Sequence, residues 1–409
     1  MQTLVKHRTN NLVYILGAIT AIIFLVSKFL GLLPLFLLGI AIMLLTLVFF
    51  EFDDLFLYAI ILFPFLHVIK ISDSSIAFYS YYFILVAIKY FIKNEFNFKF
   101  CFSILVFFIC VVITSIKYNN YNLIISELKE IISIIFLLTM FNFNSKYWAK
   151  EYVLKLLMCV NLGATIFAIS FILGLSSEKN FSTITFPCLV AINLLIGIYN
   201  KKLSLISFLS MLILAVGSLM TSSRTNFLVL LLVVLIPVFS LFDKRKIKYG
   251  IYSLIIIVVI VGLIIIFFSD VIIKVLDRFE EDNATTGNGR TEIWKFYINL
   301  TCSSWDRFLF GNGYYTNYLN YINFHEHNSF VQVFSQFGIV GTIAWGLMYF
   351  NLFKQIVLVK GKFKISFIVP FLCFIGCNMG VGNMGSTDFV CLYLCCCLTV
   401  RCCSMSGDK

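Results

Sequence analysis

Long runs of apolar residues, broken by short polar connections, recur along almost the whole chain. Apolar segments fall at roughly 12–27, 29–50, 55–72, 76–92, 100–116, 122–142, 152–175, 182–200, 203–220, 224–242, 251–268, 328–353, 365–384 and 387–403. A bilayer crossing takes about 20 apolar residues as a helix, so the pattern predicts about 14 transmembrane helices, within a range of about 12 to 14. A membrane β-barrel would need alternating polar and apolar positions, and these runs are unbroken. The expected fold is therefore all-α: a polytopic integral membrane protein, with residues 1–409 forming a single membrane-embedded domain. Composition agrees. Hydrophobic residues make up 61% of the chain and charged residues 12%, with a mean hydropathy of +0.98. Soluble domains carry about 25% charged residues, and disordered chains are polar and poor in aromatics.

The net charge of +11 comes from 31 Lys and Arg against 20 Asp and Glu. In a membrane protein such an excess serves topology first, so nucleic acid is not an expected partner. With the N-terminus in the cytoplasm and each segment crossing once, 20 of the 31 basic residues fall on the cytoplasmic side. They include Lys89, Lys93, Lys99, Lys201, Lys202, the Lys244-Arg245-Lys246 turn and Lys354 to Lys364. Both termini are then cytoplasmic. Lys6 and Arg8 precede the first segment as in a signal peptide. No small-residue cleavage site follows and a second span comes at once, which reads as an uncleaved anchor. Of the 13 cysteines, eight lie between Cys373 and Cys403, in or beside apolar runs where Cys acts as a small hydrophobe. The long outer connection holds one cysteine, Cys302, and cannot close a disulfide within itself.

That connection, 269–327, stands out because loops of such length are usually functional. It carries Asp270, Asp277, Glu280, Glu281, Asp282, Glu292, Asp306 and Glu326 against Lys274, Arg278, Arg290, Lys295 and Arg307. With acidic groups in excess it is no general anion trap, and anion recognition must rest on particular arginines. Ile293, Tyr297 and Leu300 follow helical spacing with Trp294 and Phe296 beside them, predicting an amphipathic helix over 290–300 at the membrane surface. Gly287, Gly289, Gly311 and Gly313 mark turns around it.

Candidate chemistry gathers at the outer face. Arg224 follows Thr221-Ser222-Ser223 at the outer end of a span, where the bland role is a snorkelling interface residue. The other short outer loops are nearly free of arginine, and a guanidinium offers a planar fork suited to phosphate. Arg290 opens the surface helix, where a solvated loop charge is the alternative. His325-Glu326-His327-Asn328 closes the loop and starts the next span, holding two of the four histidines. An imidazole there can accept a proton from a sugar hydroxyl. Two histidines at i and i+2 on a helix entry do not share a face, which argues against a metal pair. Glu127, Lys129 and Glu130 form either a structural ion cluster or part of a polar cavity within 122–142. Gly311-Asn312-Gly313 is no nucleotide loop, since no strand precedes it and no Lys-Ser/Thr follows.

These residues resemble the bacterial O-antigen polymerase and O-antigen ligase superfamily. Ser222-Ser223-Arg224-Thr225-Asn226-Phe227-Leu228 is similar to its serine-arginine span start. Arg290 through Trp294, then Phe310-Gly311-Asn312-Gly313, resemble the arginine-tryptophan and phenylalanine-glycine-x-glycine parts of its large periplasmic loop. His327-Asn328-Ser329-Phe330, running to Phe337-Gly338-Ile339-Val340-Gly341, resembles its histidine-asparagine motif, with a glycine eleven positions after the histidine. The likeness covers roughly 210–345; the other spans match in number and character alone.

The resemblance implies a metal-independent glycosyltransferase of lipopolysaccharide or other surface-polysaccharide assembly, in the bacterial inner membrane and without a cofactor. Its donor would be an oligosaccharide on undecaprenyl diphosphate, presented at the periplasmic face. Carried over residue by residue, Arg224 and Arg290 would hold the diphosphate and stabilise charge on the leaving group, and His327 would orient or deprotonate the acceptor hydroxyl. His325, Asn328, Trp294 and Asp388 would join the substrate site, and Tyr314, Tyr315, Tyr318 and Tyr321 could stack on sugars. Membrane lipid is the implied partner, with a chain-length regulator and a flippase of the same pathway as further candidates. The wording of the arginine-tryptophan and His-Asn-Ser-Phe motifs favours a polymerase; a ligase transferring polymer to lipid A-core is the alternative. A flippase or transporter ranks below both, because no internal repeat is seen and the charges sit at the outer face instead of the midplane.

Overall fold

The apolar runs fold as helices. The computed structural model describes residues 11–65, 69, 78–93, 102–118, 150–175, 179–200, 204–280, 290–313, 328–357 and 366–380. Among them 89% are helical and no strand occurs. Among the described residues, five helices are long and apolar enough to cross a bilayer: Leu12–Leu30, Glu151–Ile172, Arg224–Leu241, Ile247–Phe267 and Ser329–Leu347. Leu33–Phe49, Tyr81–Ile92, Thr185–Tyr199, Leu205–Met220 and Ile368–Gly380 are shorter apolar helices. The expected segments 122–142 and 387–403 lie outside the described residues.

The chain divides into two units. The first takes residues 1–96 and 154–177 and holds α1 (Leu12–Leu30), α2 (Leu33–Phe49), α3 (Phe52–Leu62), α4 (Phe78–Lys93) and most of α6 (Lys150–Ile172). Of segment 55–72, read from sequence as a span, the described part is α3, with 11 residues, and a 3-10 turn at Phe63-Pro64-Phe65; residues 66–68 and 70–72 lie outside the described residues. At 1.5 Å per residue α3 is too short to cross the bilayer. Its residues Leu55 to Leu62 are at most 1% exposed, so it is the core of this unit rather than a lipid-facing helix. Small residues let it in. A Cβ on Gly17 would lie 2.7 Å from Ile61 Cδ1, and one on Gly163 would strike the Ile61 carbonyl. Tyr58 donates to Thr20 Oγ1 (3.0 Å) and Tyr79 to the Ala59 carbonyl (2.7 Å), which satisfies hydroxyls that burial would otherwise strand. Lys89 donates to the carbonyls of Leu47 and Phe50, each at 2.9 Å, capping α2 with a cation as its dipole favours.

The second unit takes residues 97–153 and 178–409. It holds α5 (Phe102–Lys117), α7 (Lys179–Tyr199), α8 (Leu205–Met220), α9 (Arg224–Val233), α10 (Leu235–Leu241), α11 (Ile247–Phe267), α12 (Ser269–Glu280), α13 (Arg290–Thr301), α14 (Trp305–Phe310), α15 (Ser329–Val357) and α16 (Ile368–Gly380). α5 packs along α15, with Phe107 edge-on to Phe337 at 5.3 Å. α7, α9 and α16 pack on one another. α9 and α16 run antiparallel, since Gly376 abuts Val229 where Gly380 abuts Thr225.

Helix ends in this unit sort into two groups. Lys117 pairs with Asp306, Tyr118 donates to the Gly311 carbonyl (3.1 Å), and Arg290 reaches Gly380. At the opposite ends Lys246 donates to the Tyr199 carbonyl, Tyr199 stacks edge-on with Phe367 (5.8 Å), and Ser366 donates to Ile236 (3.4 Å). The basic-residue count in the sequence predicts opposite membrane faces for these two groups.

The described parts of segment 269–327, residues 269–280 and 290–313, are largely helical. α13 follows the expected 290–300, but Tyr297 and Thr301 are buried and the helix packs on α15, so its inner side meets protein. The sharper division into apolar and charged faces belongs to α12, which the sequence reading left within the loop. Val271, Ile272, Val275 and Leu276 lie along one side, with Asp270, Lys274 and Asp277 on the other. Ile273 and Leu276 are exposed next to the equally exposed Ile265, Ile266 and Phe267 at the end of α11.

Candidate active site

Arg224 is the first residue of α9, reached through a tight turn. Ser222 adopts a left-handed conformation (φ 53°), uncommon for a residue with a Cβ. The turn is over-determined by side chains. Asn226, fully buried, donates through Nδ2 to Thr221 Oγ1 (2.9 Å) and the Ser218 carbonyl (3.2 Å). Thr221 donates to the same carbonyl (2.7 Å), and Ser223 caps α9 by accepting from the Asn226 backbone N–H (3.4 Å). The guanidinium therefore starts from a fixed backbone, at a helix end that already favours anions.

Arg290 is the first residue of α13 and donates through Nη1 to the Gly380 carbonyl (3.5 Å). Gly380 ends α16, and its α-carbon lies against Thr225: a Cβ there would be 2.8 Å from Thr225 Cγ2. The Arg290 side chain and Thr225, the neighbour of Arg224, thus both reach one glycine, Gly380. Two cationic forks at two positive helix ends suit a multiply charged, phosphate-like anion.

Asn328 is 5% exposed, and its role is local. Its Oδ1 accepts from the backbone N–H groups of Phe330 (2.9 Å) and Val331 (3.2 Å), capping α15, an interaction worth about 1 kcal/mol. The sequence reading placed Asn328 in substrate binding; here its oxygen is committed to the cap, and its amide N–H groups are what remain for a substrate. Trp294 lies half-exposed on α13. His325, His327 and Asp388 lie outside the described residues, as do Glu127, Lys129, Glu130 and the tyrosines at 314, 315, 318 and 321.

The two glycine motifs fit together. Gly338 breaks α15 with non-helical angles (φ 65°, ψ −164°). A Cβ there would lie 2.5 Å from the Leu309 carbonyl and 2.6 Å from the Gly311 nitrogen. Carbonyls just before the break accept from the turn: Asn312 N–H donates to Ser335 (2.7 Å) and Gly313 N–H to Gln336 (3.0 Å). Gly311 (φ 74°) and Gly313 (φ 80°) give that turn its left-handed path. Neither the Thr225–Gly380 contact nor the docking of Asn312 was foreseen from sequence. The nearest signal was a pair of glycine motifs that no nucleotide loop could explain. Among the described residues, no group of three His, Cys, Asp or Glu comes together to hold a metal.

The described residues define a class, an all-helical protein with membrane-spanning helices, in which two arginine-led helices come together at Gly380. Residues 209–346, roughly a third of the chain, match the family model described as O-antigen ligase. Over that segment the chain is similar to the O-antigen polymerase and ligase superfamily, and the match supports membership of it. No curated protein and no solved structure matches the chain.

Proposed function

We propose that this protein is a surface-polysaccharide polymerase of the O-antigen type, working at the periplasmic face of the inner membrane. Its donor is the growing glycan on undecaprenyl diphosphate, and its acceptor another lipid-linked repeat unit. The observation that carries the reading is the meeting of Arg290 and the Arg224 helix at Gly380. The acceptor hydroxyl attacks the anomeric carbon of the donor sugar, the bond from that carbon to the phosphate oxygen breaks, and undecaprenyl diphosphate leaves. His327 takes the hydroxyl proton, while Arg224 and Arg290 neutralise the charge that grows on the departing diphosphate. His325, Trp294, the Asn328 amide and Asp388 contact the sugars. A flippase that supplies the lipid-linked unit and a chain-length regulator are the natural partners of such a reaction.

Deleting the gene in its native host and separating lipopolysaccharide on a gel tests this. Loss of a polymerase leaves lipid A-core bearing a single repeat unit, because ligation continues, and that is the expected pattern. A ligase is the second reading, favoured by the description of the matching family. Its loss would leave bare core with polymer on the lipid carrier, which would overturn the polymerase assignment. An unchanged ladder would remove the protein from lipopolysaccharide assembly.

A further inference from the structure

We propose that Asn312 is a positioning residue for the diphosphate site, acting through Arg290; this rests on the reading of Arg290 given above. Asn312 is 2% exposed and spends three donors on two different helices. Its backbone N–H and its Nδ2 both donate to the Ser335 carbonyl, at 2.7 and 2.9 Å. Nδ2 also donates to Thr301 Oγ1 at 2.8 Å. Thr301 is the last residue of α13, the helix that Arg290 begins, and its hydroxyl donates in turn to the Tyr297 carbonyl (2.8 Å). Ser335 lies in the first part of α15, between the Asn328 cap and the break at Gly338.

One side chain therefore locks the far end of the arginine helix to the half-helix that begins beside His327. α13 is 12 residues long, so it behaves as a lever of about 18 Å at 1.5 Å rise per residue. Small rotations at Thr301 become displacements of ångström size at Arg290, enough to spoil a bidentate contact. Ser335 lies three residues before the break at Gly338, and its carbonyl accepts twice from Asn312. Asparagine suits the position because one planar amide can donate to a hydroxyl on one helix and a carbonyl on the other.

The test uses the full-length protein in membranes, with lipid-linked substrate from membranes of the deletion strain. Asn312→Ala and Thr301→Val, which removes the accepting hydroxyl while keeping the side chain's shape, should each lower turnover tenfold or more. Protein level and melting temperature should stay close to wild type. In an Arg290→Lys background the same two changes should cost less than twofold, because the lever then has nothing to aim. Equal fractional losses in both backgrounds, or losses that follow protein level, would overturn the proposal. Hydrogen exchange gives a readout independent of catalysis: amides of residues 290–301 should exchange faster in Asn312→Ala, with those after Gly338 unchanged. Unaltered exchange in 290–301 would overturn the clamp whatever Arg290 does. Full activity of Arg290→Lys alone would instead fall on the diphosphate reading, and the exchange result would still decide the clamp.

Discussion

Gly338 and Gly311 meet backbone to backbone: a Cβ on Gly338 would lie 2.6 Å from the Gly311 nitrogen, closer than real Cβ atoms come. Gly338→Ala should therefore be severe, through the contact and through its positive φ, which alone costs about 1–2 kcal/mol. Gly346, eight residues on in the same helix, has nothing within 4 Å of where a Cβ would sit. Gly346→Ala should be neutral or stabilising by up to about 1 kcal/mol. Melting temperatures in detergent for the two variants provide the comparison; equal effects would refute the docking of the turn on the break.

Replacing Arg224 or Arg290 by Lys keeps charge and loses the fork. Each change should lower transfer steeply, about a hundredfold, to a residual rate that can still be measured, while the protein stays in the membrane at normal level. Polymer formation at the wild-type rate in both would end the diphosphate assignment.

Gly380 offers a probe of the same site that leaves both arginines in place. A methyl group on Gly380 would press on Thr225 and displace the carbonyl that Arg290 reaches. Gly380→Ala should cut activity at least tenfold, and adding Thr225→Ala should restore part of it by making room. Transfer assays on the two variants decide it, and an active single variant would separate the glycine from the site.

The neighbouring histidines should differ. His327→Ala should stop transfer, whereas His325→Ala should only weaken it, since His327 heads the span and holds the spacing to Gly338. Equal loss at both positions would mean a paired role, and loss at His325 alone would reverse the assignment.

Reporter fusions test orientation. Fusions at Lys246 and Lys362 should report cytoplasm, and one at Asn283 should report periplasm. A cytoplasmic signal at Asn283 would put the proposed donor on the wrong side.

The helical character of this architecture was legible because apolar runs obey bilayer physics that needs no partner helix. The helix at Arg290 and the turns at Gly311 and Gly313 were legible for a similar reason, being local. Three features were not. α3 reads as a span, yet it is a short buried helix, because periodicity cannot tell protein neighbours from lipid ones. α12 was lost inside a segment classed as a loop by its charges, although its apolar face repeats with helical spacing. The convergence at Gly380 depends on residues 90 positions apart, Arg290 and Gly380, and no local pattern announces a contact over that distance.

The bond from Tyr118 to the Gly311 carbonyl joins residues 193 positions apart. At synthesis rates of roughly 5–20 residues per second, about 10–40 s separate their emergence from the ribosome. Through that interval α5 must wait in the bilayer without α15, the helix it packs along in the finished protein. Assembly of this half of the protein is therefore gated by elongation, and a chain cut short before residue 313 would leave α5 as an orphan for membrane quality control.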